Sequence, residues 1–151
     1  YNNRQKILNK YSKYRKKHYD ITCFVVTYNH KNTIEKCLES ILCQKTKYSY
    51  LIKVLDDKST DGTIDILMKY AEKYPEKIEL LIQKNNTHGM HISAALRNIN
   101  TEYWSAVDGD DYWCDENKIE KMLDYMNDNK NIVMCTHDIL YKSIVSDFSK
   151  F

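Results

Sequence analysis

Short β-rich apolar runs alternate with amphipathic segments of helical period along most of this chain, and that alternation constrains the fold more than any other feature. Ile21-Thr22-Cys23-Phe24-Val25-Val26-Thr27, Tyr50-Leu51-Ile52-Lys53-Val54-Leu55, the stretch 77–83 around Ile78, Leu80, Leu81 and Ile82, and Tyr103-Trp104-Ser105-Ala106-Val107 read as buried strands. Between and after them, apolar residues recur at i, i+3, i+4 and i+7: Ile34, Cys37, Leu38 and Ile41; Ile64, Leu67, Met68 and Ala71; Ile92, Ala95, Leu96 and Ile99; Ile119, Met122, Leu123 and Met126. Asn32, with Glu35 three residues on, has the spacing of a capping box, and Pro75 stops the second helix. Ile132-Val133-Met134-Cys135 reads as a fifth strand. Strands buried on both faces need helices on both faces, so the expected class is α/β: a mostly parallel, Rossmann-like sheet with helices on either side.

With 151 residues the chain is long enough for one domain with a real core. Charge divides it. Residues 1–19 hold seven basic side chains (Arg4, Lys6, Lys10, Lys13, Arg15, Lys16, Lys17) and no acid, leaving a net −5 on the rest of a chain whose total is +2. The expected organisation is therefore a basic arm over 1–19, with Ile7, Leu8, Tyr11 and Tyr14 at helical spacing, and a domain over 20–151. The arm reads first as a solvated helix; contact with an anionic membrane surface is its functional alternative. Nothing matches a nucleic-acid-binding module. Cys23, Cys37, Cys43, Cys114 and Cys135 form no Cys-x-x-Cys pair and read as reduced, buried thiols. No apolar run reaches the length of a membrane span and no stretch has a secretory layout, so the expected location is cytoplasmic, with the inner face of a membrane as the peripheral variant.

The loops carry the chemistry. All three glycines, Gly62, Gly89 and Gly109, follow expected strands, and so do the acid pair Asp56-Asp57 and the cluster Asp108-Gly109-Asp110-Asp111. A parallel sheet gathers such loops at one end. Clustered carboxylates repel, and a hard divalent cation, Mn²⁺ or Mg²⁺, bridging to phosphate would resolve the repulsion. Asp56 or Asp57 could accept hydrogen bonds from a base or ribose, Tyr28 offers a face for stacking, and Arg97 could offset diphosphate charge. The absence of any Gly-x-Gly-x-x-Gly argues against a dinucleotide-binding dehydrogenase. A phosphatase or receiver domain would place its acids after different strands.

Four blocks resemble family 2 glycosyltransferases of the GT-A fold: Val25-Val26-Thr27-Tyr28-Asn29, Val54-Leu55-Asp56-Asp57-Lys58-Ser59-Thr60-Asp61-Gly62-Thr63, Gly89 with Ala95-Leu96-Arg97-Asn98, and Val107-Asp108-Gly109-Asp110-Asp111. The resemblance implies that Thr27, Tyr28 and Asn29 line the nucleotide site and that Asp56 and Asp57 contact uracil or its ribose. It puts Gly89 and Arg97 near the nucleotide and its phosphates, Asp108 and Gly109 at the ribose or metal, and Mn²⁺ or Mg²⁺ on Asp110 with Asp108. It implies an inverting transfer from a nucleotide-sugar, by default a UDP-sugar, to a glycan, lipid-linked or protein acceptor, as in polysaccharide biosynthesis. Two departures stand out. Val26 takes the place of the proline often found before this Thr, and no residue matches the family's general base, which is expected beyond an acceptor-binding part missing here. His137 and Asp138 do not fill that role. The alternative reading is a non-catalytic nucleotide-binding or assembly module without the base.

Overall fold

The computed structural model describes residues 12–15, 18–88, 96 and 99–140. A single 3₁₀ turn at Ser12–Tyr14 precedes β1 (Ile21–Thr27), α1 (Ile34–Leu42), β2 (Tyr50–Asp56), α2 (Thr63–Lys73), β3 (Ile78–Ile82), β4 (Tyr103–Asp108) and α3 (Lys118–Asp128). The four strands form one sheet in the order β3-β2-β1-β4, and every pairing is parallel. The chain runs outward from β1 to β3, then crosses back to lay β4 on the other side of β1. That reversal is a topological switch point, where open α/β sheets leave a crevice beyond the strand ends.

The pleat explains the two cores. Ile21, Cys23 and Val25, with their register partners Tyr50, Ile52 and Val54 and then Ile78 and Leu80, face α1, α2 and α3 in one large cluster. Phe24 and Leu55 point to the other face, where Val26, Leu81 and the helical residue Leu96 pack on them. Burying a side chain such as Phe24 completely is worth roughly 1.5–3 kcal/mol. Ile92 and Ala95 of that helix's expected apolar face lie outside the described residues, as does most of the basic arm, and Ile99, the last residue of that face, is not helical.

Four expectations are corrected. The N-cap position of the first helix is Thr33, not Asn32, and no side-chain capping bond forms. β4 is half-buried and not a buried strand: its burial alternates, and Trp104, Ala106 and Asp108 are exposed on the face opposite α1, α2 and α3. Ile132–Cys135 forms no strand, and Val133 and Met134 are 94% and 75% exposed. Apolar β-formers need a hydrogen-bonding neighbour, and no described strand pairs with this stretch. The cysteines are all free; Cys23 and Cys37 are buried, Cys135 is intermediate, but Cys43 and Cys114 are exposed. No helix among the described residues is long and apolar enough to cross a membrane.

Candidate functional site

The site is assembled where the loops after β1, β2, β3 and β4 meet. β1 is central, so its backbone ties its neighbours' loops to itself: Asp57 N–H donates to Thr27 O (2.9 Å) and Gly109 N–H to Val26 O (2.8 Å). A pocket of about 230 Å³ opens between them, lined by Val26, Thr27, Tyr28, His30, Asp57, Asn86, His88 and Asp108.

One wall is built by hydrogen bonds among loop side chains. Asp56 is fully buried and accepts from Ser59 N–H (2.9 Å) and Ser59 Oγ–H (2.5 Å). The same Ser59 oxygen accepts from Asn29 N–H at 2.9 Å, and Asn29 Oδ1 accepts from Thr60 N–H at 2.8 Å. Asp61 adds a third tie, accepting from Lys31 N–H through one oxygen and from Thr63 N–H and Oγ–H through the other. Asp57 accepts from Thr87 N–H and Oγ–H, which draws the loop after β3 onto the pocket. Asn29, Lys58 and His88 all hold left-handed backbone, with φ of 56°, 66° and 51°. One lies in each of these three loops. Non-glycine residues with that torsion cost energy and persist where surroundings fix them.

The acid turn is held differently, through its backbone. Gly109 O accepts from Thr33 Oγ–H (3.0 Å), Asp108 O from Cys37 Sγ–H (3.5 Å), and Asp111 N–H donates to Asp108 O (3.0 Å). Thr33 thus uses its hydroxyl on the acid turn and not as a helix cap. Beyond the turn, Trp113 N–H donates to Ser40 Oγ, and Gln44 accepts from Ile119 N–H and donates to Asp115 O, pinning the start of α3 to the end of α1. Gly109 leaves no room for a side chain: a Cβ would lie 2.7 Å from His30 Nδ1, 2.8 Å from Thr27 Oγ1 and 2.9 Å from Thr27 Cβ.

Among the described residues the carboxylates of the turn meet no close cation. Asp110 is 59% exposed, and the approach of His30 Nε2 to its Oδ2 is 4.0 Å. Partial burial, then the charges of Asp110 and Asp111, push the Asp108 carboxyl above the usual aspartate value, with His30 opposing. Burial and the same three carboxylates push the Cys37 thiol up to about 12, so it is an inert donor. Among the described residues no group of three or more His, Cys, Asp or Glu side chains could hold a metal ion by themselves. The donor set nonetheless fits a divalent cation shared with a ligand. Oxygen donors crowd one another here, an imidazole nitrogen stands beside them, and Mg²⁺-like ions complete their shell with phosphate oxygens and water.

The expected site residues separate into three groups. Thr27, Tyr28, Asp57 and Asp108 line the pocket; Asn29, Asp56 and Gly109 shape it without lining it; Asp110 projects beside it. Gly89 and Arg97 lie outside the described residues. His30, Asn86 and His88 were not singled out, although His30 directly follows Asn29 and the other two sit in the loop after β3.

Comparison with known proteins agrees with this geometry. Residues 22–147 match the family model described as Glycosyl transferase family 2. The chain is 34% identical over 107 residues to the putative teichuronic acid biosynthesis glycosyltransferase TuaG of Bacillus subtilis, across 70% of this chain and 41% of that protein. It is 36% identical over 95 residues to the poly(ribitol-phosphate) beta-glucosyltransferase of Bacillus spizizenii, across 61% of this chain and 15% of that protein. It thus spans well under half the length of either relative. Among solved structures, Staphylococcus aureus TarS 1–349 in complex with UDP-GlcNAc superposes with a TM-score of 0.65 at 24% identity, over 74% of this chain and 32% of that one. The mannosyltransferase PcManGT from Pyrobaculum calidifontis, in complex with GDP-Man and Mn²⁺, gives 0.63 at 23%, over 82% and 39%. These likenesses establish the shared fold.

Proposed function

The chain belongs to glycosyl transferase family 2, and from that membership we propose that it forms the donor side of a metal-dependent, inverting glycosyltransferase acting on a nucleotide-sugar, with UDP-sugar as the first candidate. The observation that carries this reading is the convergence of four strand-end loops on one pocket that opens onto the acid turn. At about 230 Å³ the pocket is smaller than the ~300–1,000 Å³ of a complete drug-sized site, which suits a nucleoside with its phosphates reaching out toward Asp110.

Within it, the half-exposed Tyr28 ring stacks the base and Asp57 accepts from a base N–H or a ribose hydroxyl. Asp108 takes a ribose hydroxyl or supports the cation, and Asp110 holds Mn²⁺ or Mg²⁺. When bound there, such an ion would supply Lewis-acid stabilisation of the leaving diphosphate. Gly89 and Arg97 complete the phosphate side. Inversion needs a carboxylate to deprotonate the acceptor hydroxyl. His137 is unsuited to that work, because its Nε2 lies 2.8 Å from Lys118 Nζ and its Nδ1 2.9 Å from Asp138 O. No described residue is assigned as that base; the acceptor in this reading is a glycan, a lipid-linked sugar or a protein, met at the cytoplasmic side of a membrane.

The test is a thermal-shift titration with UDP, GDP and dTDP, with and without Mn²⁺, on the wild type and on Asp110→Ala. A ligand bound only by the native state stabilises it by about 2.7 kcal/mol at a hundredfold excess over its dissociation constant. The expected result is an Mn²⁺-dependent shift with UDP that Asp110→Ala abolishes. A cooperative melt that no nucleotide moves would overturn the reading.

A further inference from the structure

Resting on that donor-site reading, we propose that His30 is a ligand to the donor's divalent cation, its Nε2 sharing the ion with Asp110. The two groups come from loops far apart in sequence, brought side by side because β1 pairs with β4. Their separation is informative. At 4.0 Å, Nε2 and Asp110 Oδ2 are too far apart for a hydrogen bond, and closing by about 1 Å would bring them to the ~3.0 Å spacing of adjacent ligands on one octahedral ion.

The ring is also held in place for such a role. His30 O accepts from both Thr33 N–H (3.0 Å) and Ile34 N–H (2.8 Å), so the residue is fastened to the start of α1. Gly109 packs against the Nδ1 edge so closely that a Cβ would collide with it, which leaves the Nε2 edge toward the acid turn. A histidine kept for structure ordinarily uses its ring nitrogens in hydrogen bonds. Here Nδ1 is buried with no partner among the described residues, and Thr27 Oγ1, on a residue only 1% exposed, is likewise unpartnered beside the same point. A small turn of the ring lets Nδ1–H donate to Thr27 Oγ1. That is the outer bond that metal-ligating imidazoles usually make, and it orients the ring. A simple ion pair is the poorer account, since an exposed partner at this distance contributes little.

An imidazole nitrogen has a consequence for metal choice. It suits Mn²⁺ better than Mg²⁺, which prefers oxygen. The experiment is pulsed electron paramagnetic resonance of Mn²⁺ bound to the full chain with saturating UDP, alongside calorimetric titration with Mn²⁺ and with Mg²⁺. Wild type, His30→Ala and the bulkier His30→Gln are compared, each verified as folded by a urea melt. The expected result is nitrogen coupling to Mn²⁺ in the wild type and in neither variant, with Mn²⁺ affinity falling roughly tenfold or more and Mg²⁺ affinity falling less. His30→Gln retains the ring's bulk, so its loss of the signal separates ligation from packing. Mn²⁺ bound with UDP but without nitrogen coupling would overturn the assignment of His30 and leave the donor site standing. No binding of Mn²⁺ with UDP to the wild type would overturn both.

Discussion

Asp56 ends the strand on one side of β1, and Asp110 follows the strand on the other, yet the fold uses the two carboxylates in opposite ways. Asp56 is fully buried with both oxygens engaged by Ser59, and through Ser59 it holds Asn29 and the loop after β1. Asp110 is mostly exposed, sits among like charges, and is approached only loosely by His30. One carboxylate is consumed in building the wall; the other has no hydrogen bond among the described residues, on a turn held through its backbone. The difference teaches that an acid at a strand end is a ligand candidate only when the local hydrogen-bond inventory leaves it something to bind.

Three variants would break or sharpen that contrast. Asp56→Ala should have the largest effect, lowering stability by about 3 kcal/mol in urea denaturation, since charge-assisted bonds to a buried serine are lost together. Asp110→Ala should stay within ~0.5 kcal/mol of wild type in the same measurement. Equal losses from both would erase the distinction. Gly109→Ala should come next, at ~1–3 kcal/mol, because its methyl must displace Thr27 and His30 from the acid turn. Cation affinity measured by calorimetry should fall with it; a fully stable Gly109→Ala protein would mean the turn is not tightly seated.

The smallest effect is a pH dependence. The Asp108 carboxyl is raised in the folded state, so above the ordinary value of 3.8 the native protein binds more protons than the unfolded chain. Stability contributed by this group therefore falls as pH rises from 3.8 through the raised folded value. Asp56 tilts the curve the same way through burial, whereas Asp61, Asp115 and Asp124 are held low and tilt it the other way. The readout is consequently the difference between wild type and Asp108→Asn. The variant should gain relative stability as pH rises through that window, and a constant difference would contradict a raised Asp108 carboxyl.

Much of this was legible in the sequence. β1 runs over the expected Ile21–Thr27 and β2 extends the expected run by one aspartate, because buried parallel strands are written as nearly continuous apolar residues; β4 also extends its expected run by one aspartate, although it is only half-buried. The same cue failed at Ile132–Cys135, where composition supplied β-propensity but could not supply a neighbouring strand. In the site, residue types and loops were readable and roles were not. Asp56 and Asp57 are adjacent, and only the left-handed turn at Lys58 brings Ser59 back onto the first of them. His30 gave no periodic or spacing signal; its place beside Asp110 exists only because β4 returns to β1.

The three left-handed residues bear on how the chain can be redesigned. At an exposed position such as Lys58, glycine would remove a torsional cost of roughly 1–2 kcal/mol and add only about 0.5–1 kcal/mol of chain entropy. Consensus-style stabilisation would therefore accept it. The same exchange at Asn29 would delete the amide oxygen that Thr60 relies on, and at His88 it would strip a side chain from the pocket wall. One torsion angle is thus a free parameter for thermostability in one loop and a cost tied to the pocket in the other two, and a sequence optimised for stability alone would lose the site while keeping the fold.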